Sequence, residues 1–246
     1  MTAHAHGTAI VRLSDVSKVY GTGDVAVHAL REVDFELRSG EFAAMAGPSG
    51  SGKSTLLNLI GGLDAATSGR VEVDGQDLGV LSGAARTRLR RDRIGFVFQS
   101  FNLVPVLTAL ENAEYVLMLQ GVPAGERRER VRALFVAVGL GGLEGRFPRE
   151  LSGGQQQRVA IARAIVAAPA LVLADEPTAN VDSATGRALL DLMHRLHDEQ
   201  GVTFLFSTHD RAVMERAERL ILLHDGRIAA DGRPGRVLDG AVADGS

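Results

Sequence analysis

Residues 47–55, GPSGSGKST, hold the grouping best suited to chemistry on an anion. Gly47, Gly52, Lys53 and Ser54 satisfy G-x-x-x-x-G-K-[ST], with Pro48, Ser49, Gly50 and Ser51 between the glycines and Thr55 after them. An apolar run, Phe42 to Ala46, leads in, and a helical pattern of Leu56, Leu57, Leu59, Ile60 and Leu63 leads out. Glycines let the backbone turn tightly enough to aim successive N–H groups at phosphate oxygens, and the following helix offers the positive end of its dipole. In such a loop Lys53 reaches the β- and γ-phosphates of a nucleotide and Ser54 holds Mg²⁺. A plain Gly/Ser loop would not need a lysine followed by two hydroxyl residues at the helix start.

Two further groupings acquire meaning beside that loop. In LVLADEP, Asp175 and Glu176 follow four apolar residues, so both acids stand at the end of a strand. In a phosphate-loop protein the first such carboxylate binds Mg²⁺, directly or through water, and the next orients and deprotonates an attacking water. Ser152-Gly153-Gly154-Gln155 opens a helix: Ser152 is a good N-cap and the glycines leave backbone N–H groups uncovered, a second anion-binding terminus. Alone it would be read as a capped surface helix. Two such termini in a chain with one nucleotide loop suggest that the second serves the nucleotide of another subunit.

The elements that must position these groups follow from periodicity. Ile10–Leu13, residues 29–37 and the hairpin around Asp74-Gly75 read as a small antiparallel sheet beside the phosphate-loop strand. A basic run, Arg86 to Arg93, reads as a solvated helix face ahead of a strand at Ile94–Phe98. Residues 100–168 turn helical, over 108–119, 124–138 and 152–167, with Pro169 closing the last helix. The rest alternates: strand 171–174, helix 184–199, strand 202–207, helix 212–217, and a closing hairpin at Asp225-Gly226. Alternation of this kind predicts a parallel sheet covered by helices on both faces, with the phosphate site at the carboxyl ends of its strands.

Composition narrows the field. At 246 residues and 45% hydrophobic, the chain can bury one sizeable core with an inserted subdomain. A net charge of −3 argues against nucleic acid as a general partner. The absence of cysteine removes disulfides and thiolate metal sites. No apolar run approaches the ~20 residues that cross a bilayer, so action at a membrane would go through a partner. His4 and His6 fall in a loose, solvated start, residues 1–9.

These motifs, in this order from about Ile10 to Gly232, resemble the ATPase subunit of ABC transporters, and Leu151 to Gln155, LSGGQ, is the most specific of them. The resemblance implies an α/β fold: a P-loop NTPase with a RecA-like mixed-sheet core, an antiparallel β subdomain and an α-helical subdomain inserted at about 100–168. It implies one domain over 10–232, with tails at 1–9 and 233–246. It matches Tyr20 to an aromatic that stacks on adenine, and Gln99 to a glutamine contacting Mg²⁺ and the reacting water. It matches His209 to a histidine bonding the γ-phosphate, and Asn180, Val181 and Asp182 to a loop crossing to the other subunit. The implied assembly is a head-to-tail homodimer with ATP and Mg²⁺ between phosphate loop and LSGGQ, bound through a membrane permease to the cytoplasmic face of the membrane. YGTGDVAVHAL, LLNLIGGLDAATSG and IGFVFQSFNLVPVLTALENAEYVLML resemble the lipoprotein-release and macrolide-export branch, LolD and MacB type, whose permeases carry a large extracytoplasmic domain. A regulatory subunit gating cell-wall hydrolysis without moving cargo is the alternative. Phe98, Phe101, Leu103, Val104 and Val106 crowd around Gln99, more apolar side chains than a strand end needs, and suggest a groove for a partner's helix.

Overall fold

A computed structural model describes residues 7–243 of the chain. The expectation for His4 and His6 lies outside the described residues. In order, the elements are β1 (Ala9–Tyr20), β2 (Val27–Arg38), β3 (Phe42–Ala46), α1 (Lys53–Ile60), β4 (Ser68–Val73), β5 (Gln76–Asp77), α2 (Gly83–Arg93), β6 (Ile94–Phe98), α3 (Ala109–Leu119), α4 (Ala124–Ala137), α5 (Gly153–Ile165), β7 (Leu171–Asp175), α6 (Ser183–Gln200), β8 (Thr203–Ser207), α7 (Arg211–Arg216), β9 (Arg219–His224), β10 (Arg227–Gly232) and α8 (Pro234–Ala243).

Two sheets form. One is antiparallel, in the order β2-β1-β4-β5; the other has the order β10-β9-β3-β8-β7-β6 and is parallel except for the β9–β10 hairpin. The interior strands of the larger sheet are apolar over most of their length because both faces are covered. Period-2 alternation then divides their side chains. Phe42, Ala44, Phe204, Phe206, Val172 and Ala174 face one core with α5 and α6. Ala43, Met45, Leu205, Leu171 and Leu173 face the other with α1 and the antiparallel sheet. The phosphate loop therefore leaves the middle of the sheet, where β3 is paired on both sides.

Two of the three inserted helices start on strong caps. Thr108 and Glu111 make a reciprocal capping box on α3, and Ser152 and Gln155 make one on α5. The buried Asn112 on α3 shapes the loop before it: its amide oxygen accepts from the Val104 N–H at 2.7 Å, and its nitrogen donates to the Val104 and Leu107 carbonyls. The basic run is less solvated than its composition suggests. Arg91 pairs with Asp92, Arg93 with Asp74, and Arg90 donates to the Gly62 carbonyl at 2.7 Å. Residues 234–243, read from the sequence as tail, form α8, whose Val237 is buried in the core.

Both Asp-Gly hairpin turns bend through left-handed backbone, at φ +50° and +71° for Asp74 and Gly75 and +46° and +75° for Asp225 and Gly226. They differ in surroundings. A Cβ on Gly75 would meet nothing within 4 Å, whereas one on Gly226 would lie 2.8 Å from the Ala29 carbonyl oxygen. Gly75→Ala should cost about 1–2 kcal/mol, the left-handed penalty alone, and Gly226→Ala clearly more. Equal losses in urea unfolding would contradict this packing.

Candidate functional site

The loop after β3 curls so closely that side chains are excluded. A Cβ on Gly47 would sit 2.1 Å from the Leu223 carbonyl oxygen, and one on Gly52, at φ +105°, would sit 2.6 Å from that of Ala29. Within the curl, the Lys53 ammonium donates to the carbonyls of Gly47 and Pro48 at 2.8 and 3.0 Å, so its charge is held where the loop's N–H groups converge. Gly226 closes the loop from outside: its N–H donates to the Ser51 carbonyl, and its own carbonyl accepts from Arg31. Ser51 and Ser207 each carry a buried hydroxyl with no protein partner. Both line a cavity of about 580 Å³ with the loop, Glu176 and His209. A cradle of bare backbone, a lysine and orphaned hydroxyls suit phosphate oxygens.

The acids stand where the strand ends put them. β7 pairs with β8, and β8 with β3, so Asp175 emerges across the sheet from α1, and the Ser54 hydroxyl donates to it at 3.3 Å. This hydroxyl–carboxylate pair is a hard-oxygen donor set of the kind Mg²⁺ takes. Glu176 adopts φ +47°, a strain of about 1–3 kcal/mol that surrounding structure must hold. Its N–H donates to the Ser207 carbonyl at 2.9 Å, and its carboxylate pairs with His209 Nδ1 at 2.7 Å. The Glu176 side chain is 16% exposed and that of His209 is 73% exposed, so a sheltered carboxylate is joined to an open imidazole.

Other expected residues lie apart from the cavity. Gln99 is exposed just past β6, and its carbonyl accepts from Asn180. Tyr20 ends β1; its hydroxyl donates to Asp64 at 2.8 Å, and the Lys18 ammonium stands 4.7 Å from its ring centre. Burial, reinforced by the Asp64 hydrogen bond, raises the Tyr20 hydroxyl above the usual tyrosine value. Burial works against ionised Asp64, but hydrogen bonds from Lys18 and Tyr20 outweigh it and leave its carboxyl below the usual range.

Ser152, Gly153 and Gly154 begin α5 on a different surface, beside the loop that opens α6. A Cβ on Gly153 would lie 3.5 Å from the Asn180 carbonyl, and one on Gly154 would lie 2.4 Å from the Thr185 methyl. Asp182 caps α6; the Thr185 hydroxyl and the amides of Thr185 and Ala184 hold its carboxyl below the usual range. Two helix N-termini thus open side by side, away from the phosphate cavity of the same chain.

The apolar cluster near Gln99 divides. Phe98 lines a second cavity of about 400 Å³ with Leu63, Phe96 and Val116, whereas Leu103 packs into the core and Val104 and Val106 stay exposed. Sequence reasoning missed Val27, His28 and Ala29, which line the phosphate cavity, and Arg163, which donates from α5 to the carbonyls of Phe101 and Asn102. None of these has a motif. Only strand pairing and helix packing bring them in.

A phosphate loop after the central strand, with acids and a histidine at the ends of neighbouring strands, defines a P-loop nucleoside triphosphatase. The chain belongs to the ABC transporter family: the family model described as ABC transporter matches residues 30–179. Within that family it is an ATP-binding, ATP-hydrolysing cassette. It is 49% identical over 226 residues to the lipoprotein-releasing system ATP-binding protein LolD of Anaeromyxobacter dehalogenans, covering 92% of this chain and 95% of that one. It is 47% identical over 225 residues to the macrolide export ATP-binding/permease protein MacB of Brucella melitensis, covering 92% of this chain but only 35% of that one. The chain thus spans about a third of the length of such fused relatives. Its fold matches the post-hydrolysis dimer of the cassette MJ0796, a protein of Methanocaldococcus jannaschii, bound to ADP and Pi. The TM-score is 0.84 at 43% identity, over 91% of this chain and 98% of that one.

Gly47→Ala should abolish nucleotide binding, since its Cβ must displace backbone. Gly50→Ala, with open space around its Cβ, should weaken binding by only about tenfold, a strain of ~1.4 kcal/mol. Titration with a fluorescent nucleotide separates the two; equal losses would contradict the steric argument.

Proposed function

We propose that two copies of this chain sandwich two ATP molecules and, by closing and reopening, drive a separate membrane permease of the export or extraction type. The observation that carries this reading is the division of the site. The phosphate loop, Glu176 and His209 share one cavity, while Ser152, Gly153, Gly154 and Gln155 open α5 elsewhere. A head-to-tail second copy would bring its α5 terminus, with Asp182 beside it, to the γ-phosphate side of the first copy's nucleotide.

In that arrangement Tyr20 stacks on the adenine, and Lys53 and the loop amides hold the β- and γ-phosphates. Ser54, Asp175 and Gln99 would hold Mg²⁺, which would supply neutralisation of the phosphate charge. Glu176 takes a proton from the attacking water as the water oxygen bonds to the γ-phosphorus and the bridging oxygen leaves with ADP. His209, oriented by its Nδ1 contact with Glu176, turns its other ring nitrogen to the γ-phosphate. Most of the acceleration comes from positioning and fixed charge.

The permease reading is supported by the second cavity and by the fused ATP-binding/permease architecture that MacB's name describes. None of the helices among the described residues is long and apolar enough to cross a membrane. The Phe96, Phe98, Leu63 and Val116 groove would seat a cytoplasmic helix of the permease, keeping the cassette on the cytoplasmic face, while an extracytoplasmic domain of the permease meets the cargo.

Glu176→Gln should retain ATP and slow hydrolysis by about two to four orders of magnitude, the range for loss of a general base. With Mg-ATP the variant should elute as a dimer. Turnover at the parent rate would remove Glu176 from its role, and a monomer even beside the permease would remove the sandwich.

A further inference from the structure

The groove around Phe98 has a charge pattern that its apolar floor does not explain. Its floor carries the stacked rings of Phe96 and Phe98, 5.6 Å apart and 5° from parallel, with Leu63 half exposed beside them. Three arginines also line it: Arg90, Arg91 and Arg163. Arg91 is neutralised by Asp92, with contacts at 2.7 and 2.8 Å. The other two find only uncharged acceptors among the described residues. Arg90 donates to the Gly62 carbonyl at 2.7 Å and the Thr87 hydroxyl at 3.0 Å. Arg163 donates to the carbonyls of Asn102 at 2.6 Å and Phe101 at 2.8 Å. A guanidinium has five N–H donors, so each retains unused ones. Burial alone acts on Arg163, lowering its hold on the proton, with no carboxylate near enough to oppose it. A partly desolvated cation without a counter-ion is unfavourable, and an anion brought by a binding partner relieves that cost.

Resting on the permease reading above, we infer that the helix docked in this groove is amphipathic and presents a carboxylate to Arg163 and Arg90, its apolar residues covering Phe96, Phe98 and Leu63. The pairing has a consequence for the ATP site. Phe101 and Asn102, the residues Arg163 holds, both adopt left-handed backbone, at φ +59° and +50°, two and three positions beyond Gln99. A carboxylate that draws on the Arg163 guanidinium therefore acts directly on the segment that carries Gln99. Arg163 is a positioning residue that reports the docked helix to the catalytic cavity.

The test uses the full chain and three fluorescein-labelled synthetic helical peptides. They share one apolar face and differ at a single position on its edge, which is Glu, Gln or Lys. Anisotropy should give an affinity for the Glu peptide about tenfold or more above that for the Gln peptide, with the Lys peptide weakest. Arg90→Gln and Arg163→Gln should each shrink the Glu-over-Gln preference toward one while leaving the affinity for the Gln peptide in place. Thermal unfolding reports whether Arg163→Gln still folds, and Arg90→Gln, whose side chain touches no catalytic segment, carries the test if it does not. Phe98→Asp should abolish binding of all three peptides. Equal Glu and Gln affinities that Phe98→Asp abolishes would overturn the carboxylate and leave the groove standing, as would a Glu preference that survives Arg90→Gln. Binding of none of the peptides, or binding indifferent to Phe98→Asp, would overturn the groove and the carboxylate with it.

Discussion

The structure turns on a steric constraint at the loop between β3 and α1. Phosphate oxygens can be reached by many main-chain N–H groups at once only if the backbone curls tightly, and that curl presses the loop against other main chain on both sides. Gly47 lies against the carbonyl of Leu223 at the end of β9, and Gly52 against that of Ala29 on β2. The Gly226 turn then joins the two contacts, bonding Ser51 on one side and Arg31 on the other. The antiparallel sheet and the closing hairpin are therefore walls of the phosphate site. An error in the placement of either would reach the nucleotide through contacts too short to absorb it.

The acids and the histidine depend on the same sheet in another way. In a parallel sheet every strand ends at one edge, so four strands of unrelated sequence deliver Ala46, Phe98, Asp175 and Ser207 to a common rim. The residue just past each end is then free to leave regular conformation. Glu176 does so at φ +47°, a strained backbone held by the Ser207 carbonyl and by His209. The strain is tolerable because β8 and all of β7 up to Ala174 are buried beneath it.

What could be read from the sequence is what short range determines. The loop, the Ser152 cap, the Asp-Gly turns and the apolar runs of β3, β7 and β8 each announce themselves within a few residues, and the structure has them at those places. Lengths and partners were less legible. β1 runs from Ala9 to Tyr20, far beyond the apolar Ile10–Leu13, because register shifts on both sides of Val16 let polar Ser14 and Asp15 pass along its exposed side. α8 was hidden by an opening of Pro and Gly, which read as tail although Pro suits a first helical turn. Arg163 looks like one more charge on an amphipathic helix. Only the packing of α5 against β6 turns it inward.

α5 joins the two ends of the molecule's work. Its N-terminus carries Ser152 and the two glycines, packed against the loop that opens α6. Less than three turns further along, Arg163 grips the segment that follows Gln99 and lines the apolar groove. A helix held by its i to i+4 hydrogen bonds is stiff over that length, so a displacement imposed at one end is carried to the other with little loss. Docking in the groove and contact at the SGGQ terminus, both as proposed, would for this reason not be independent events. They would bear on one rigid rod, to which Arg163 ties the Gln99 segment, itself tied to the α6 loop by Asn180.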